Sequence, residues 1–304
     1  MNAFDALIVG GGPGGLQAAL SLGRARKRVL LADAGPRRNA LASAIHNFVT
    51  RDGTPPEEFR RVGRVQLATY PDVHVRDTGV VAITGARGAF RATLADGTSV
   101  DAKRVLLATG MIDEELPIAG FREQWGRSIF QCPYCHGWEA QDRPWGFLVT
   151  PQSLPHAVPF ALQARGWTAD LTVVLHGLAL PEDAHARLAA AGLRVERAAV
   201  ARIAPHALEL DDGRAIPCDA LFAHPPQHHV PLVIALDLAL EDGLVKIDPM
   251  RRETSIPGIY AAGDLTTRMQ GAILAAATAA QTAAMLNVDL AMELGAPEVP
   301  HAPR

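Results

Sequence analysis

The sequence predicts an α/β protein built from Rossmann-like, three-layer domains. Three stretches carry this prediction: ALIV followed by GGGPGG at 6–15, WGFLVT at 145–150, and GIYAAGD at 258–264 ahead of an uncharged helical run. Each begins with a short apolar run, which suits a strand buried in a parallel sheet. With 304 residues, the chain is long enough for two such domains.

Composition excludes several classes of partner. A hydrophobic content of 48% and a charged content of 20% fit a soluble globular protein. The net charge of −3 gives no sign of a nucleic-acid or membrane-surface partner. The first apolar run leads into glycines rather than a cleavage site, so we expect a cytoplasmic protein, where disulfides are usually catalytic.

One uncharged stretch, residues 269–288, has the length of a membrane span. Alanine is its commonest residue, at eight of the 20 positions, and the stretch includes two glutamines, two threonines and an asparagine. Because alanine is barely apolar enough to hold a helix in lipid, we predict a core helix here.

The first 33 residues contain a dinucleotide-binding pattern. Gly10, Gly12 and Gly15 satisfy G-x-G-x-x-G between a strand and a helical stretch. These glycines allow, in order, a tight turn, close approach of a pyrophosphate to the backbone, and packing of the helix on the sheet. The next strand, 29–32, ends in Asp33, which is positioned to accept hydrogen bonds from a ribose hydroxyl.

Two further segments favour FAD over a nicotinamide at this first site. TSIPGIYAAGDL at 254–265 looks like the second flavin-contacting segment of two-dinucleotide-fold flavoenzymes, in which an aspartate, here Asp264, meets the ribityl chain and phosphate. The positive start of the following helix would favour negative charge on a reduced flavin. RVLLATGM at 104–111 resembles the strand and turn that close an FAD domain.

With these segments ordered around CPYC, the chain resembles the low-molecular-weight thioredoxin reductase family. The resemblance implies a homodimer and a discontinuous FAD domain, 1–113 and 244–304, with an inserted domain, 114–243, that carries the dithiol on a degenerate NAD(P)H-type fold. HNFVTRDG at 46–53 matches the family's loop beside the flavin. The flavin contacts expected beyond the first glycines and Asp33 are Asn39, His46, Asn47, Thr109, Gly110, Gly263, Asp264, Gln270, Gly271 and Ala272.

The inserted domain departs from the family at its nicotinamide site. Strand 145–150 is followed by PQSLPHAVPFALQARG, which has no glycine before Gly166 and loses backbone donors at Pro151 and Pro155. The next strand ends at His176 instead of a basic cluster for the 2′-phosphate of NADPH. A pyrophosphate needs glycines and free N–H groups, so we expect the fold to persist without NAD(P)H binding.

The motif QCPYCHGWE places Cys132 and Cys135 three positions apart, with His136 directly after them. A zinc site would need Cys218, which we expect in a buried strand, and a further ligand. A structural crosslink across one turn would constrain almost nothing. We therefore favour a redox couple at a helix start, where the helix dipole lowers a thiol pKa.

The residue after the second cysteine refines the resemblance. Thioredoxin reductases usually have an acid there, whereas CPYCHGWE resembles the thioredoxin-reductase-like dithiol oxidases, which close disulfides in natural products such as gliotoxin and holomycin and pass electrons to oxygen. The family assigns Cys135 as the thiol nearer the flavin and Cys132 as the thiol that exchanges with substrate. It implies His136 as a base; a histidine that only caps or packs is the alternative.

The resulting hypothesis is an FAD-dependent dithiol oxidase that acts on a small-molecule or protein dithiol and uses O2 as electron acceptor, with no metal, nucleic-acid or membrane partner. The main alternative is a thioredoxin reductase-like disulfide reductase fed by NAD(P)H, ferredoxin or another donor. A redox sensor that keeps FAD without turnover is a third possibility.

Overall fold

The computed structural model describes residues 3–35 and 38–294. Its strands are, in chain order, β1 (Phe4–Val9), β2 (Val29–Ala32), β3 (Val73–Arg76), β4 (Val80–Ala86), β5 (Ala89–Leu94), β6 (Ser99–Leu107), β7 (Ile112–Asp113), β8 (Ile129–Phe130), β9 (Trp145–Leu148), β10 (Leu171–Val174), β11 (Arg194–Glu196), β12 (Val200–Ala204), β13 (Ala207–Leu210), β14 (Ala215–Pro217), β15 (Ala220–Ala223), β16 (Gln227–His228), β17 (Leu240–Glu241), β18 (Leu244–Val245) and β19 (Ile259–Ala261). Its α-helices are α1 (Pro13–Arg24), α2 (Pro56–Leu67), α3 (Phe121–Gln124), α4 (Pro133–His136), α5 (Ala157–Ala164), α6 (Glu182–Ala190), α7 (Pro231–Ala235) and α8 (Ala272–Leu294).

The chain divides into two compact units. Unit 1 comprises residues 1–37, 57–111 and 229–304, and unit 2 comprises residues 38–56 and 112–228. The predicted boundaries differ from this division in two main places, because residues 38–56 group with unit 2 and residues 229–243 with unit 1. The second difference has a clear physical cause: Leu232 and Val233 of α7 are buried in a core cluster of unit 1.

Unit 1 is built on a seven-stranded sheet of order β3-β2-β1-β6-β5-β4, with β19 also paired to β6. Strands β3, β2, β1, β6 and β19 are parallel, and β4 and β5 are antiparallel. Successive side chains of β1 point to opposite faces of the sheet. Leu7 and Val9 enter one core cluster, and Ala6 and Ile8 enter the other, which also holds α1 and α8 side chains. Both faces of the sheet are therefore covered by apolar layers, as predicted.

Unit 2 repeats this plan with a five-stranded parallel sheet of order β11-β10-β9-β15-β8. Phe147 of β9 enters a cluster with α5 and α6, and its neighbour Leu148 enters a cluster with the antiparallel sheet β12-β13-β14. The pair β7 and β16 joins the two ends of the segment 112–228. The predicted α/β class with Rossmann-like domains is thereby confirmed.

Helix α8 is long and apolar enough to cross a membrane by length and composition, with a mean hydropathy of 1.3, and 33% of its most apolar window is buried. Its buried face, including Ala279, Ala283 and Leu286, packs in the core of unit 1. Val288 and Met292 lie on an exposed face. The helix therefore packs on the core as predicted, although it is buried on one face only.

Candidate active site

The glycine-rich turn after β1 has the geometry of a phosphate-binding loop. A Cβ on Gly10 would lie 2.4 Å from the carbonyl oxygen of Ala108, and one on Gly15 would lie 1.7 Å from that of Gly10, so packing requires both glycines. A Cβ on Gly12, the N-cap of α1, would meet no described atom within 4 Å. Packing therefore does not explain this glycine, whereas close approach of a pyrophosphate to the start of α1 does.

Gly12→Asp is expected to fold normally and to lose FAD. A Cβ at this position would have no described atom within 4 Å, and the backbone at Gly12, with φ −75°, suits any residue. Its carboxylate would repel a phosphate at the same place, which lowers affinity on the order of a hundredfold. Flavin absorbance after gel filtration, with circular dichroism, measures both properties. Ala68→Asp is the control, because Ala68 is exposed and the charge change is the same, and this variant should keep its flavin. Equal flavin content in the two variants would contradict the assignment of Gly12 to a phosphate-binding turn.

Asp33, the predicted ribose acceptor, is buried and already paired. Its Oδ2 accepts hydrogen bonds from Nη2 of Arg60 (2.7 Å) and Nη2 of Arg64 (3.1 Å), and its Oδ1 accepts one from the Gly35 amide (2.9 Å). Burial raises the pKa of Asp33, but the Gly35 amide and the arginines more than offset it, and the net pKa lies below its usual value. A Cβ on Gly11 would lie 2.1 Å from Oδ2, so the ionised carboxylate is held against the glycine turn.

Sequence reasoning missed Arg60, Arg64 and Gly11. The four-residue spacing of the arginines places them on one face of α2, and this spacing can be recognised in the sequence. Their partner Asp33 lies 27 residues before Arg60, and no pattern in the sequence connects the two. A ribose hydroxyl would therefore join an existing ionic network instead of meeting a free carboxylate.

The parallel strands β1, β2, β6 and β19 end at one edge of the unit 1 sheet, where open α/β sheets bind their ligands. The amide of Gly263, at φ 73°, donates to Oγ1 of Thr278 (3.0 Å), which ties the Gly-Asp turn to α8. Nε2 of Gln270 donates to the carbonyl oxygen of Asp264 (3.4 Å) just before α8 begins. The predicted flavin residues at this edge of unit 1 are Gly10, Gly12, Gly15, Asp33, Thr109, Gly110, Gly263, Asp264, Gln270, Gly271 and Ala272.

Three other predicted flavin residues, Asn39, His46 and Asn47, belong to unit 2. His46 Nε2 lies 3.5 Å from Oε1 of Glu139, and His46 Nδ1 lies 3.6 Å from Oδ1 of Asp52. Asn47 has a left-handed φ of 56°, and its amide donates to the same Asp52 oxygen at 2.7 Å. The contacts of His46 are thus with acids of unit 2, and a role for these three residues at a flavin stays a prediction.

Cys132 and Cys135 form a disulfide with a Cα–Cα distance of 5.2 Å. Cys132 is the N-cap of α4, and Pro133 occupies the first helical position. A Cβ on Gly137 would lie 2.4 Å from the carbonyl oxygen of Pro133, so the turn after the cysteine pair requires glycine there. The predicted helix start is present, but α4 is a single turn, and its dipole is correspondingly small.

The His136 ring is held in place without a hydrogen-bond partner. It stacks on Phe130 with ring centroids 4.3 Å apart and planes 13° from parallel. Nδ1 and Nε2 are both buried, and neither has a partner among the described residues. Burial, helped by His46 and opposed by Glu139, lowers the pKa of His136 to about 4. At neutral pH the ring is therefore neutral, and one nitrogen has a lone pair that can accept a proton.

The third cysteine, Cys218, is separate from this pair. It lies between β14 and β15 rather than inside a strand, and it is buried. Burial raises the pKa of its thiol to about 12, which keeps it protonated and unreactive. Within residues 3–35 and 38–294, no group of three or more His, Cys, Asp or Glu side chains could hold a metal ion.

The loop after β9, at the position of the family's nicotinamide site, uses its backbone donors internally. The Thr150 amide donates to Oγ of Ser153 (2.8 Å), and the Ser153 amide donates back to the Thr150 carbonyl (3.0 Å). The Leu154 amide also donates to the Thr150 carbonyl (2.9 Å), and the His156 amide donates to the Ser153 carbonyl (2.9 Å). These four amides are therefore committed to the turn, and a pyrophosphate would have to displace those bonds.

A cavity of about 300 Å³ lies beside this loop. Its lining residues are Leu116, Pro117, Ile118, Leu148, Val149, Thr150, Pro151, Gln152, His176, Leu178 and Pro226. None of these described residues is Lys or Arg, and Nδ1 of His176 already accepts the Val200 amide at 2.9 Å. The cavity thus provides no fixed cation for a 2′-phosphate.

Comparison with known proteins agrees with this architecture. The family model described as pyridine nucleotide-disulphide oxidoreductase matches residues 4–283. Thioredoxin reductase sirT of Leptosphaeria maculans is 30% identical over 308 residues, which cover 94% of this chain and 94% of that protein. A probable thioredoxin reductase of Arthroderma benhamiae is 39% identical over 153 residues, 48% of this chain but only 38% of that protein. The crystal structure of an oxidoreductase from Agrobacterium tumefaciens has a TM-score of 0.89 and 37% identity, and the match covers 96% of this chain and 99% of that one.

Proposed function

Because the chain belongs to the pyridine nucleotide-disulphide oxidoreductase family and is a flavin-dependent thiol/disulfide oxidoreductase, we propose that it oxidises a dithiol to a disulfide and uses O2 as the final electron acceptor. One observation supports this direction of electron flow. Four backbone amides of the 150–156 turn donate their hydrogen bonds within the turn, and the described residues that line the neighbouring cavity include no Lys or Arg. An enzyme that does not take electrons from a nicotinamide can receive them from the thiol side, through Cys132 and Cys135.

The chain's own residues account for the thiol chemistry. A substrate thiol loses its proton to a ring nitrogen of His136, and the thiolate attacks Sγ of Cys132. The Cys132–Cys135 bond breaks, and Cys135 leaves as a thiolate. The second substrate thiol then attacks the substrate sulfur of the mixed disulfide and gives its proton to the departing Cys132 sulfur, which releases the substrate disulfide and the Cys132 thiol. Two electrons and two protons have passed from substrate to enzyme.

The residues at the edge of unit 1 fit FAD, because the phosphate-binding turn needs a glycine at position 12 that packing does not explain. When bound, FAD supplies the two-electron acceptor that returns the cysteine pair to its disulfide and delivers electrons to oxygen. Thr109, Gly263 and Asp264 would contribute to holding it.

We expect dithiothreitol, but not NADPH or NADH, to bleach the flavin in an anaerobic stopped-flow experiment. In air, dithiothreitol should drive oxygen uptake and peroxide formation without added nicotinamide. Thioredoxin, oxidised or reduced, serves as the protein substrate in parallel assays. Rapid bleaching by either nicotinamide would refute the proposed direction, because it would require a working pyrophosphate site on the 150–156 turn.

A reductase is the second candidate, and the names of the relatives favour it: sirT, for example, is called a thioredoxin reductase. In that direction the same cysteine pair would deliver electrons to a disulfide. NADPH-driven reduction of thioredoxin would support this candidate, as would reduction driven by ferredoxin. Absence of both, together with dithiol-dependent peroxide, favours the oxidase.

A further inference from the structure

The buried carboxylate of Asp33 lies against the turn that would receive the diphosphate of FAD. Its Oδ2 lies 2.1 Å from the position that a Cβ on Gly11 would take. Gly11 directly precedes Gly12, the glycine that packing does not explain and a phosphate does. Two negative groups close together repel each other more strongly in a buried site than in water. An acid at this position therefore lowers the affinity for an anionic cofactor unless a cation offsets its charge.

Two arginines of α2 supply positive charge at this place. Arg60 donates two hydrogen bonds to Oδ2 of Asp33, from Nε at 2.9 Å and from Nη2 at 2.7 Å. Arg64, one helical turn later, donates a third from Nη2 at 3.1 Å. The two arginine side chains are only 15% and 24% exposed, so solvent screens these ion pairs less than pairs on the surface. The negative charge beside the glycine turn is therefore balanced from α2.

The two oxygens of Asp33 have different partners. Oδ2 has three arginine N–H donors, which fill its acceptor capacity. Oδ1 accepts only the Gly35 amide, at 2.9 Å, among the residues that the structure describes. Asp77, which is exposed, accepts hydrogen bonds from both arginines and helps to hold them beside Asp33. Oδ1 is therefore the oxygen that remains available to a ribose hydroxyl.

We propose that Arg60 and Arg64 are positioning residues of the FAD site. They hold Oδ2 of Asp33, which leaves Oδ1 free for a ribose hydroxyl, and they neutralise the carboxylate so that the adjacent turn accepts a diphosphate. This role rests on the FAD site of the proposed function, but it does not depend on the direction of electron flow.

Substitution of each arginine by methionine, a flexible side chain without charge, tests the proposal. Arg60→Met removes two hydrogen bonds to Asp33, so the dissociation constant of FAD should rise about tenfold. Arg64→Met removes one longer bond, and a rise of about threefold is expected. Dilution of the FAD-loaded proteins followed by ultrafiltration measures the free flavin, which gives each dissociation constant.

Arg61→Met is the matched control, because it makes the same charge change on the same helix. Arg61 is 62% exposed and pairs with Glu58 at 2.7 Å, and no contact among the described residues links it to Asp33. Its FAD dissociation constant should equal that of the wild type. Equal constants in Arg60→Met and Arg61→Met would overturn the proposal.

A double substitution shows whether the effect of Arg60 passes through Asp33. In the Asp33→Asn background the charge that the arginine balances is absent, so adding Arg60→Met should raise the dissociation constant by no more than about twofold. A full tenfold rise in that background would refute the proposal, because Arg60 would then act on FAD, or on the fold, without Asp33. Arg60→Lys keeps the charge but has no fork of donors, so its dissociation constant should fall between those of the wild type and Arg60→Met.

Flavin affinity and electron source are separate measurements, so the role of the arginines and the proposed function fail independently. If Arg60→Met, Arg61→Met and the wild type bind FAD equally while dithiothreitol drives oxygen uptake, only the role of the arginines is wrong. If the predicted order of dissociation constants holds while NADPH bleaches the flavin, the proposed direction of electron flow is wrong and the role of the arginines stands.

Discussion

Cys132→Ser is expected to abolish dithiol oxidation while FAD remains bound. A serine hydroxyl cannot form a disulfide with Cys135, so an incoming thiolate has no S–S bond to attack and no thiolate to displace. Loss of a nucleophilic centre typically lowers turnover on the order of a thousandfold or more. Oxygen uptake with dithiothreitol measures the loss. Flavin content should be unchanged, because the glycine turn and the Gly-Asp turn lie in unit 1.

Two further cysteine variants make this expectation specific. Cys135→Ser should also stop turnover, but its remaining Cys132 thiol should form a mixed disulfide with an oxidised substrate that intact-mass spectrometry can detect. Cys218→Ser should retain turnover, because Cys218 is not part of the disulfide and its buried thiol donates a hydrogen bond to the carbonyl of Ala220 that a hydroxyl can also donate. Full oxidation activity in Cys132→Ser, or a substrate adduct that forms only on Cys135, would contradict the assigned roles.

Features encoded by neighbouring residues could be predicted from the sequence. The strand, glycine turn and helix at 4–24 follow from local pattern, because Gly15 is required by a carbonyl oxygen five residues before it and Gly10 by one at the end of the adjacent strand. The loss of free backbone amides after β9 could also be predicted, because a proline removes the N–H group at its own position and the absence of glycines is visible in the sequence. The helix start at Cys132 was predicted for the same reason, although its length was not.

Features that depend on distant contacts could not be predicted. Arg60 and Arg64 reach Asp33 only because α2 packs beside β2 in the folded unit. His46 lies 93 positions before Glu139, so its assignment to the flavin followed the family motif and could not reveal the contact in unit 2. The unpartnered nitrogens of His136 result from burial, which has no signature in a four-residue motif.

Arg104 anchors α8 to the sheet of unit 1, and its removal should be the most destabilising single change that we predict. The side chain is fully buried on β6. Nη2 donates to Oε1 of Glu293 at 2.5 Å, Nε donates to Asp289, and Nη1 donates to the Lys103 carbonyl at 2.9 Å. Breaking a buried ion pair from one side leaves the acids without their partner.

Arg104→Ala is therefore expected to lower the free energy of unfolding by about 3 kcal/mol, toward the lower end for buried pairs because Glu293 is partly exposed and can regain water. Arg91→Ala is the control: Arg91 pairs with Asp101 on the surface of the same unit, and little change is expected. Urea denaturation of the FAD-loaded proteins gives both values. Equal stability of the two variants would show that burial of Arg104 adds nothing to the ion pair.

The pH dependence of the Arg104 effect follows from Asp289. Burial raises the pKa of Asp289, but Arg104 and Tyr260 more than offset it, and the net pKa lies below the ordinary value of 3.8. A depressed carboxyl pKa stabilises the fold above the unfolded-state pKa, and this contribution is lost as pH falls through the folded-state pKa. The difference in unfolding free energy between wild type and Arg104→Ala should therefore hold from neutral pH down to about pH 4 and shrink only below it. A difference that already declines between pH 7 and pH 5 would mean that the lost interaction is not with this carboxylate.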